Sequence, residues 1–393
     1  MTRGSILEYI AAAKARYWDA SKKGKGKILD EFVSNTGYHR KSAIRLLGYR
    51  GRNKDVSKRG RPKKYHSVVL SELKYLWEIM DHLCSKRLKP FIPELIDIVN
   101  RCGNRTLSAE VQVKLRELSP ATIDRLLSPY RNKKIRGRFS TTKPGTLLKN
   151  CIPIRTFADW QENAPGFLEA DLVAHCGDSV DGFYLYTLST VDVATGWTEC
   201  MGIFGKGQSR VRVGVHRIRQ RLPFALLGLD SDNGSEFINR HMYSYCMDEK
   251  ITFTRSRSYK KNDSCHVEQK NWSIIRRVIG YGRYNSRPAL IALNKIYDLL
   301  RLYMNFFQPV MKIVSKTRQG ARVHKIYDIA QTPYQRLLKS GILPEAKQQE
   351  LKELYQSLNP AVLLQQINSS LETFWKLEED KRSSPKPYRI HKI

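Results

Sequence analysis

The segment Leu229-Asp230-Ser231-Asp232-Asn233-Gly234-Ser235-Glu236-Phe237 decides the fold. It closes an apolar run of strand length, Phe224-Ala225-Leu226-Leu227-Gly228-Leu229, and Asn-Gly directly after Asp232 is a turn signal. Upstream, Phe167-Leu168-Glu169-Ala170-Asp171-Leu172-Val173-Ala174-His175 is a second β-prone run. Asp171 lies inside it, where an acid is costly unless something pairs with it. Downstream, 35 residues separate Asp232 from Glu268, which opens a helical pattern running from Val267 to Ile279. Two strand acids and one helix acid can converge on hard cations, which take carboxylate oxygens and leave other positions to water and phosphate. Two such ions about 3.5–4 Å apart clamp the attacking and leaving oxygens of an in-line phosphoryl displacement.

Together these segments resemble the catalytic core of the DDE transposases and retroviral-type integrases. The family pattern is an Asp on the first strand, an Asp in an Asp-Asn-Gly-x-x-Phe turn, and a Glu in an Asn-x-x-x-x-Val-Glu-x-x-Asn setting on a helix. Asp171, Asp232 through Phe237, Asn262, Val267, Glu268 and Asn271 stand at matching positions. The matching stretch is roughly 120 of the 393 residues, the size of one domain. The resemblance implies an α/β RNase H-like core with a mixed five-stranded sheet and helices. It implies that Asp171, Asp232 and Glu268 are catalytic metal ligands for a pair of Mg²⁺ ions, with Mn²⁺ as a substitute. It further implies a bacterial insertion-sequence transposase that cuts transposon ends and transfers the freed strand. Its partners would be double-stranded DNA (terminal inverted repeats and target), with a homo-oligomer on paired ends, in the cytoplasm at the nucleoid. Retroviral integrases carry an N-terminal His/Cys zinc module, and its absence here points to the bacterial branch. Two other readings stay open: a catalytically silent DNA-binding regulator of the same fold, and an RNase H-type nuclease.

Composition bounds the class independently. Lys and Arg number 69 against 37 Asp and Glu, a formal charge of +32, which points to a polyanionic partner. Hydrophobic residues make up 41% of the chain, enough to bury real cores. No apolar run approaches the ~20 residues of a membrane span, and no signal peptide is expected. The seven cysteines form no Cys-x-x-Cys pair, so neither a disulfide framework nor a zinc knuckle is expected.

Residues 1–50 read as an all-α helix-turn-helix DNA-binding domain. Lys22 to Lys27 reads as a flexible basic loop, followed by a short helix, a break at Ser34-Asn35-Thr36-Gly37, and a second helix. On that second helix Arg40, Lys41 and Arg45, with His39, are candidates for DNA, while Ala43, Ile44 and Leu47 are expected to pack inward. Residues 51–65 form a basic linker in which Arg59-Gly60-Arg61-Pro62 resembles an AT-hook core, so Arg59 and Arg61 are minor-groove candidates. A solvated basic linker is the plain alternative. Residues 66–130 read as a second helical, helix-turn-helix-like domain. There Pro90 and Pro93 punctuate the helices, and Ser119-Pro120 starts another. A three-helix spacer is the alternative. Residues 131–165 read as a basic linker.

The core, residues 166–285, reads as three strands, a basic helix, then strand-helix alternation. Glu169 and Asp230 are two residues from Asp171 and Asp232 and are rival acids for the outer shell. Asp192 reads as a turn cap, and Glu236 as the start of the next helix. Lys260, Lys261 and His266 are candidate phosphate contacts. Asn271 is expected to share the face of Glu268, one turn away, with Lys270 pointing elsewhere. Residues 286–393 read as a helical C-terminal region without the strand pattern of a small β-barrel. Its Asn305-Phe306-Phe307-Gln308-Pro309 run resembles the Asn-x-x-x-Pro element that follows the core in related transposases.

Overall fold

The protein is represented by a computed structural model that describes residues 3–49, 64–103, 105–131, 164–256 and 265–378. The chain divides into two compact units, Met1–Lys64 and Tyr65–Ile393. The first holds three helices, α1 (Arg3–Asp19), α2 (Lys22–Thr36) and α3 (Arg40–Gly48). They close over a small apolar core of Ala13, Leu29, Phe32, Ala43 and Leu47. The Lys22–Lys27 stretch is not the loop expected from its glycines. It forms the first turns of α2, started by the Ser21 side chain, which accepts from the Gly24 amide. The cap and the buried Leu29 and Phe32 outweigh the ~1 kcal/mol that each helical glycine costs. Gly37 ends α2 with φ +70°, a left-handed conformation suited to glycine. Ile44, expected to pack inward, is exposed.

In the second unit four helices come first: α4 (Ser67–Ile79), α5 (Ser85–Cys102), α6 (Ala109–Glu117) and α7 (Pro120–Leu127). Both expected proline breaks are absent, because α5 runs unbroken through Pro90 and Pro93. Each interior proline costs about 3 kcal/mol. Leu88, Phe91, Ile92, Leu95, Ile96, Ile98 and Val99 are buried along this helix, and each such side chain contributes ~1.5–3 kcal/mol. These helices do not stand apart as a module. They share one continuous apolar core with the sheet and the C-terminal helices.

The sheet contains β1 (Phe167–His175), β2 (Leu185–Asp192), β3 (Thr198–Phe204), β4 (Gly228–Ser231) and β5 (Thr252–Arg255). Its order is β3-β2-β1-β4-β5. β1, β2 and β3 are antiparallel, while β1, β4 and β5 run parallel. Helix α8 (Gln208–Arg221) connects β3 to β4, and α9 (Arg240–Asp248) connects β4 to β5. A mixed five-stranded sheet with flanking helices of this order fits an RNase H-like core. Asp192 does cap the β2–β3 turn: its carboxylate accepts from the Thr195 amide at 2.7 Å and the Gly166 amide at 2.8 Å.

After β5 come α10 (Cys265–Lys270), a π-helical continuation over Asn271–Ile279, and the long α11 (Arg287–Phe307). Helix α11 seals the open edge of β3 with two asparagines. Asn305 Oδ1 accepts from the Thr198 amide at 2.8 Å and its Nδ2 donates to the Thr198 carbonyl at 2.9 Å. Asn294 does the same at Gly202, at 2.8 and 3.2 Å. Each amide side chain stands in for a strand residue, so the Asn of the Asn-x-x-x-Pro run is an edge cap. The C-terminal region is not purely helical as expected. It opens with a hairpin, β6 (Ile313–Gln319) and β7 (Arg322–Tyr327), before α12 (Pro333–Lys339), α13 (Glu345–Ser357) and α14 (Pro360–Phe374). Alternation in β6 and β7 carries no apolar face, because every strand residue but the half-buried Ser315 is exposed, so the usual core-facing signal of a strand is missing. Among the described residues no helix is long and apolar enough to cross a membrane.

Candidate active site

The site gathers where β1 passes the end of β4 and the start of α10. Asp171 sits mid-strand on β1, half-buried. Its Oδ1 accepts from the Leu172 amide at 2.7 Å, and its Oδ2 accepts from Asn271 Nδ2 at 2.6 Å. Asn271, one turn past Glu268, therefore ties the helix carrying Glu268 to the strand carrying Asp171. The π-helical turn begins at Asn271. Wide turns of this kind often occur at functional sites.

The named positions of the Asp-Asn-Gly-x-x-Phe turn each have a job. Asp232 Oδ1 accepts from the Gly234 amide at 3.0 Å, closing the turn. Asn233 donates to the Ser256 carbonyl at 2.7 Å and accepts from Arg255 at 3.0 Å, pinning the turn to the end of β5. Phe237 is fully buried and anchors the far side. Glu236 does not begin a helix as expected, since α9 starts four residues later with Asn239 as its cap. Instead it folds back over Gly234, where an added Cβ would stand 2.7–2.9 Å from the Glu236 carboxylate. A side chain at 234 would push the Glu236 carboxylate aside. Glu236 is 6% exposed and faces Lys206 at 3.9 Å.

The charges of Asp232 and Glu268 both act on Asp171. Burial pushes Asp171 up to about 7, with the charge of Asp232 next in weight and that of Glu268 adding to it. Burial also raises Asp232; the Glu236 charge adds to this, while the Gly234 amide and Lys206 oppose it. Asp232 thus acts on Asp171 from the end of β4, and Glu268 contributes from an exposed position in the first turn of α10. Among the described residues no three His, Cys, Asp or Glu side chains are already drawn together as a cation cage. The acids form an open ledge rather than a closed ligand set. A cavity of about 260 Å³ lies away from them, lined by Phe204, Arg210, Val213, Arg217 and Leu290 among others.

The rival acids have structural work. Glu169 is buried, and its Oε2 accepts from the Val267 amide at 2.9 Å. An acid on β1 thereby holds the N-terminal turn of the helix that presents Glu268, where negative charge suits the helix dipole. Asp230, in register with Glu169, accepts from Thr254 Oγ1 at 2.6 Å. Lys270 points away from the ledge into the core, where burial and Arg87 lower it to about 8.

Of the DNA candidates, Arg40 and Arg45 lie on α3 and Arg40 pairs with Asp30 of α2. Lys41 donates its amide to His39, which caps the helix rather than lying on it. Arg59, Arg61, Lys260 and Lys261 lie outside the described residues, and of His266 only the backbone in α10 is described. Sequence reasoning missed Lys206 and the turned-back Glu236. The signal available for the first was Gly205-Lys206-Gly207 between strand and helix, with Gly205 at φ +72°.

No protein-family model matches the chain. Among solved structures, the catalytic core domain of BIV integrase aligns with 18% identity and a TM-score of 0.31, over 45% of this chain and 96% of that one. An uncharacterized protein, y4rM of Sinorhizobium fredii, is 43% identical over 320 residues, spanning 81% of this chain and 91% of that protein. Identity at that level over nearly the whole relative means that the chain belongs to the same family as y4rM.

Proposed function

We propose that the protein is a DNA transposase: a DDE-type polynucleotidyl transferase that cuts transposon ends and joins them to target DNA. One observation carries the reading. Asp171 and Asp232 come from β1 and the end of its paired strand β4, and Asn271, one turn past Glu268, donates to Asp171 at 2.6 Å, which brings the helix of Glu268 to the same place. An all-oxygen donor set of this kind suits Mg²⁺, or Mn²⁺ in its place, and Asp171, Asp232 and Glu268 are the residues that would hold it. The bound cation supplies Lewis-acid stabilisation of charge on the phosphoryl oxygens. The chain's own residues set the geometry. Asn271 fixes the rotamer of Asp171, the Asp232 turn is locked by Gly234 and Asn233, and Glu169 holds the helix of Glu268. Lys206 places a positive charge beside Glu236 and Asp232, where a phosphate would approach.

The net charge of +32 and the three-helix N-terminal unit support DNA as the partner, with α3 as the groove-reading helix of a helix-turn-helix. Assembly as a homo-oligomer on paired ends belongs to the same reading. The test is Asp232→Asn in the full chain, with labelled terminal-repeat DNA and Mg²⁺. Cleavage and joining are expected to vanish while end binding persists; joining at the wild-type level refutes the assignment. A second reading, a DNA-binding regulator of the same fold without chemistry, draws on the exposed Glu268 and the open ledge. Mg²⁺-dependent strand transfer by the wild-type chain excludes it.

A further inference from the structure

The hairpin β6–β7 forms a two-stranded sheet of its own. Its root is tightly held. Lys312 Nζ donates to the Val193 and Ala194 carbonyls, and the Lys312 amide donates to Asp328 at 2.7 Å. Arg336 pairs with Asp328 at 2.7 Å, and Val310 bridges Gln331. Beyond that root the arm is bare, with twelve of its thirteen strand residues exposed and Ser315 half-buried. A two-stranded hairpin is marginal in water by itself. This one also sets Lys316 directly opposite Lys325, a like-charge pair that weakens a hairpin.

Composition says what would cover it. From Ile313 to Tyr327 the ribbon carries Lys316, Arg318, Arg322, Lys325 and His324, and no acid. Blunting an exposed edge against aggregation needs a charge or two. A run of one sign on both strands instead makes a field for a polyanion. Val314, Val323 and Ile326, 68%, 44% and 50% exposed, lie among the cations and offer apolar contact of the kind a thymine methyl takes. The major groove of duplex DNA admits a two-stranded ribbon.

We propose that β6–β7 is a DNA-binding arm that lies along a duplex, with Arg318, Arg322 and Lys325 on phosphates. This rests on the transposase reading for its choice of DNA, and its test is independent of catalysis. The probe is a fluorescein-labelled 30-base-pair duplex of random sequence, titrated with the full chain in EDTA over a series of KCl concentrations. Each phosphate contact steepens the dependence of log K on log salt by about 0.9, so Arg318→Ala/Arg322→Ala/Lys325→Ala is expected to flatten the slope by roughly 2.7. The charge-preserving variant Arg318→Lys/Arg322→Lys/Lys325→Arg is expected to keep the wild-type slope. Should the alanine triple variant melt early, the single variants Arg318→Ala and Arg322→Ala, each flattening the slope by about 0.9, serve instead. An unchanged slope overturns the proposal while leaving the Asp232→Asn test untouched. The proposal is equally overturned if the variants lose RNA binding alone, or change only the sedimentation of the DNA-free protein. A wild-type chain that binds no duplex at all overturns both this proposal and the transposase reading.

Discussion

Replacing Asn305 by alanine should be among the costliest single changes in the chain, although Asn305 touches none of the acids. Asn305 is fully buried, and Thr198, whose amide and carbonyl it satisfies, is 3% exposed. Alanine leaves both backbone groups dry and unpartnered, at ~1–3 kcal/mol each. The expected loss is therefore about 2–6 kcal/mol, a large share of the ~5–15 kcal/mol that holds a typical domain. Asn294→Ala removes the same pair of bonds at Gly202, but Asn294 is half-buried and water can reach the gap, so its loss should fall near the lower end. Asn305→Asp should not rescue, because a carboxylate can accept from the Thr198 amide but cannot donate to its carbonyl. Urea unfolding followed by tryptophan fluorescence suits the test, since Trp197 is buried beside the edge. The unsealed β3 should also promote edge-to-edge association, read by light scattering. A loss under ~1 kcal/mol for Asn305→Ala, or wild-type stability for Asn305→Asp, would refute the edge-cap argument.

Other expectations follow from single contacts. Asn271→Ala removes a hydrogen bond to a carboxylate worth ~1.5–3 kcal/mol, so under the proposed transposase function strand cleavage should fall roughly 10- to 150-fold with DNA binding kept, as measured on labelled end substrate. Glu199 is buried between Arg301 and Arg221, and Glu199→Ala, which takes the carboxylate from Arg301 while Arg221 keeps Asp298, should cost about 1.5–3 kcal/mol in urea unfolding. His175 is buried with Nε2 against Thr187, and burial lowers it from 6.5 to about 3. The folded state thus binds fewer protons than the unfolded one between those values, so stability is complete above pH 6.5 and falls as pH drops toward 3. The slope should reach about 1.4 kcal/mol per pH unit from this residue, and His175→Gln should remove that part of the pH dependence.

The strand that carries Asp171, the turn that carries Asp232 and the helix that carries Glu268 are legible from the chain alone, although β4 forms over Gly228–Ser231 and not over the apolar run Phe224–Leu229. So are the Ser119-Pro120 helix start and the turn cap at Asp192. All depend on interactions within a few residues: apolar period, a turn dipeptide, a side chain reaching its own neighbours. Partners distant in the chain were not legible. Glu169 holds a helix 98 residues away and Asn305 seals a strand 107 residues away. Glu236 turns back because Gly234 leaves room, not because of any local helix preference. α5 survives two prolines because its apolar face is buried, and β6–β7 escaped notice because no core gives it a face. Residue type and spacing picked out three acids as candidates for chemistry. Burial and long-range hydrogen bonding, which exist only once the chain is folded, decided how those acids are held and which of the remaining polar groups serve them.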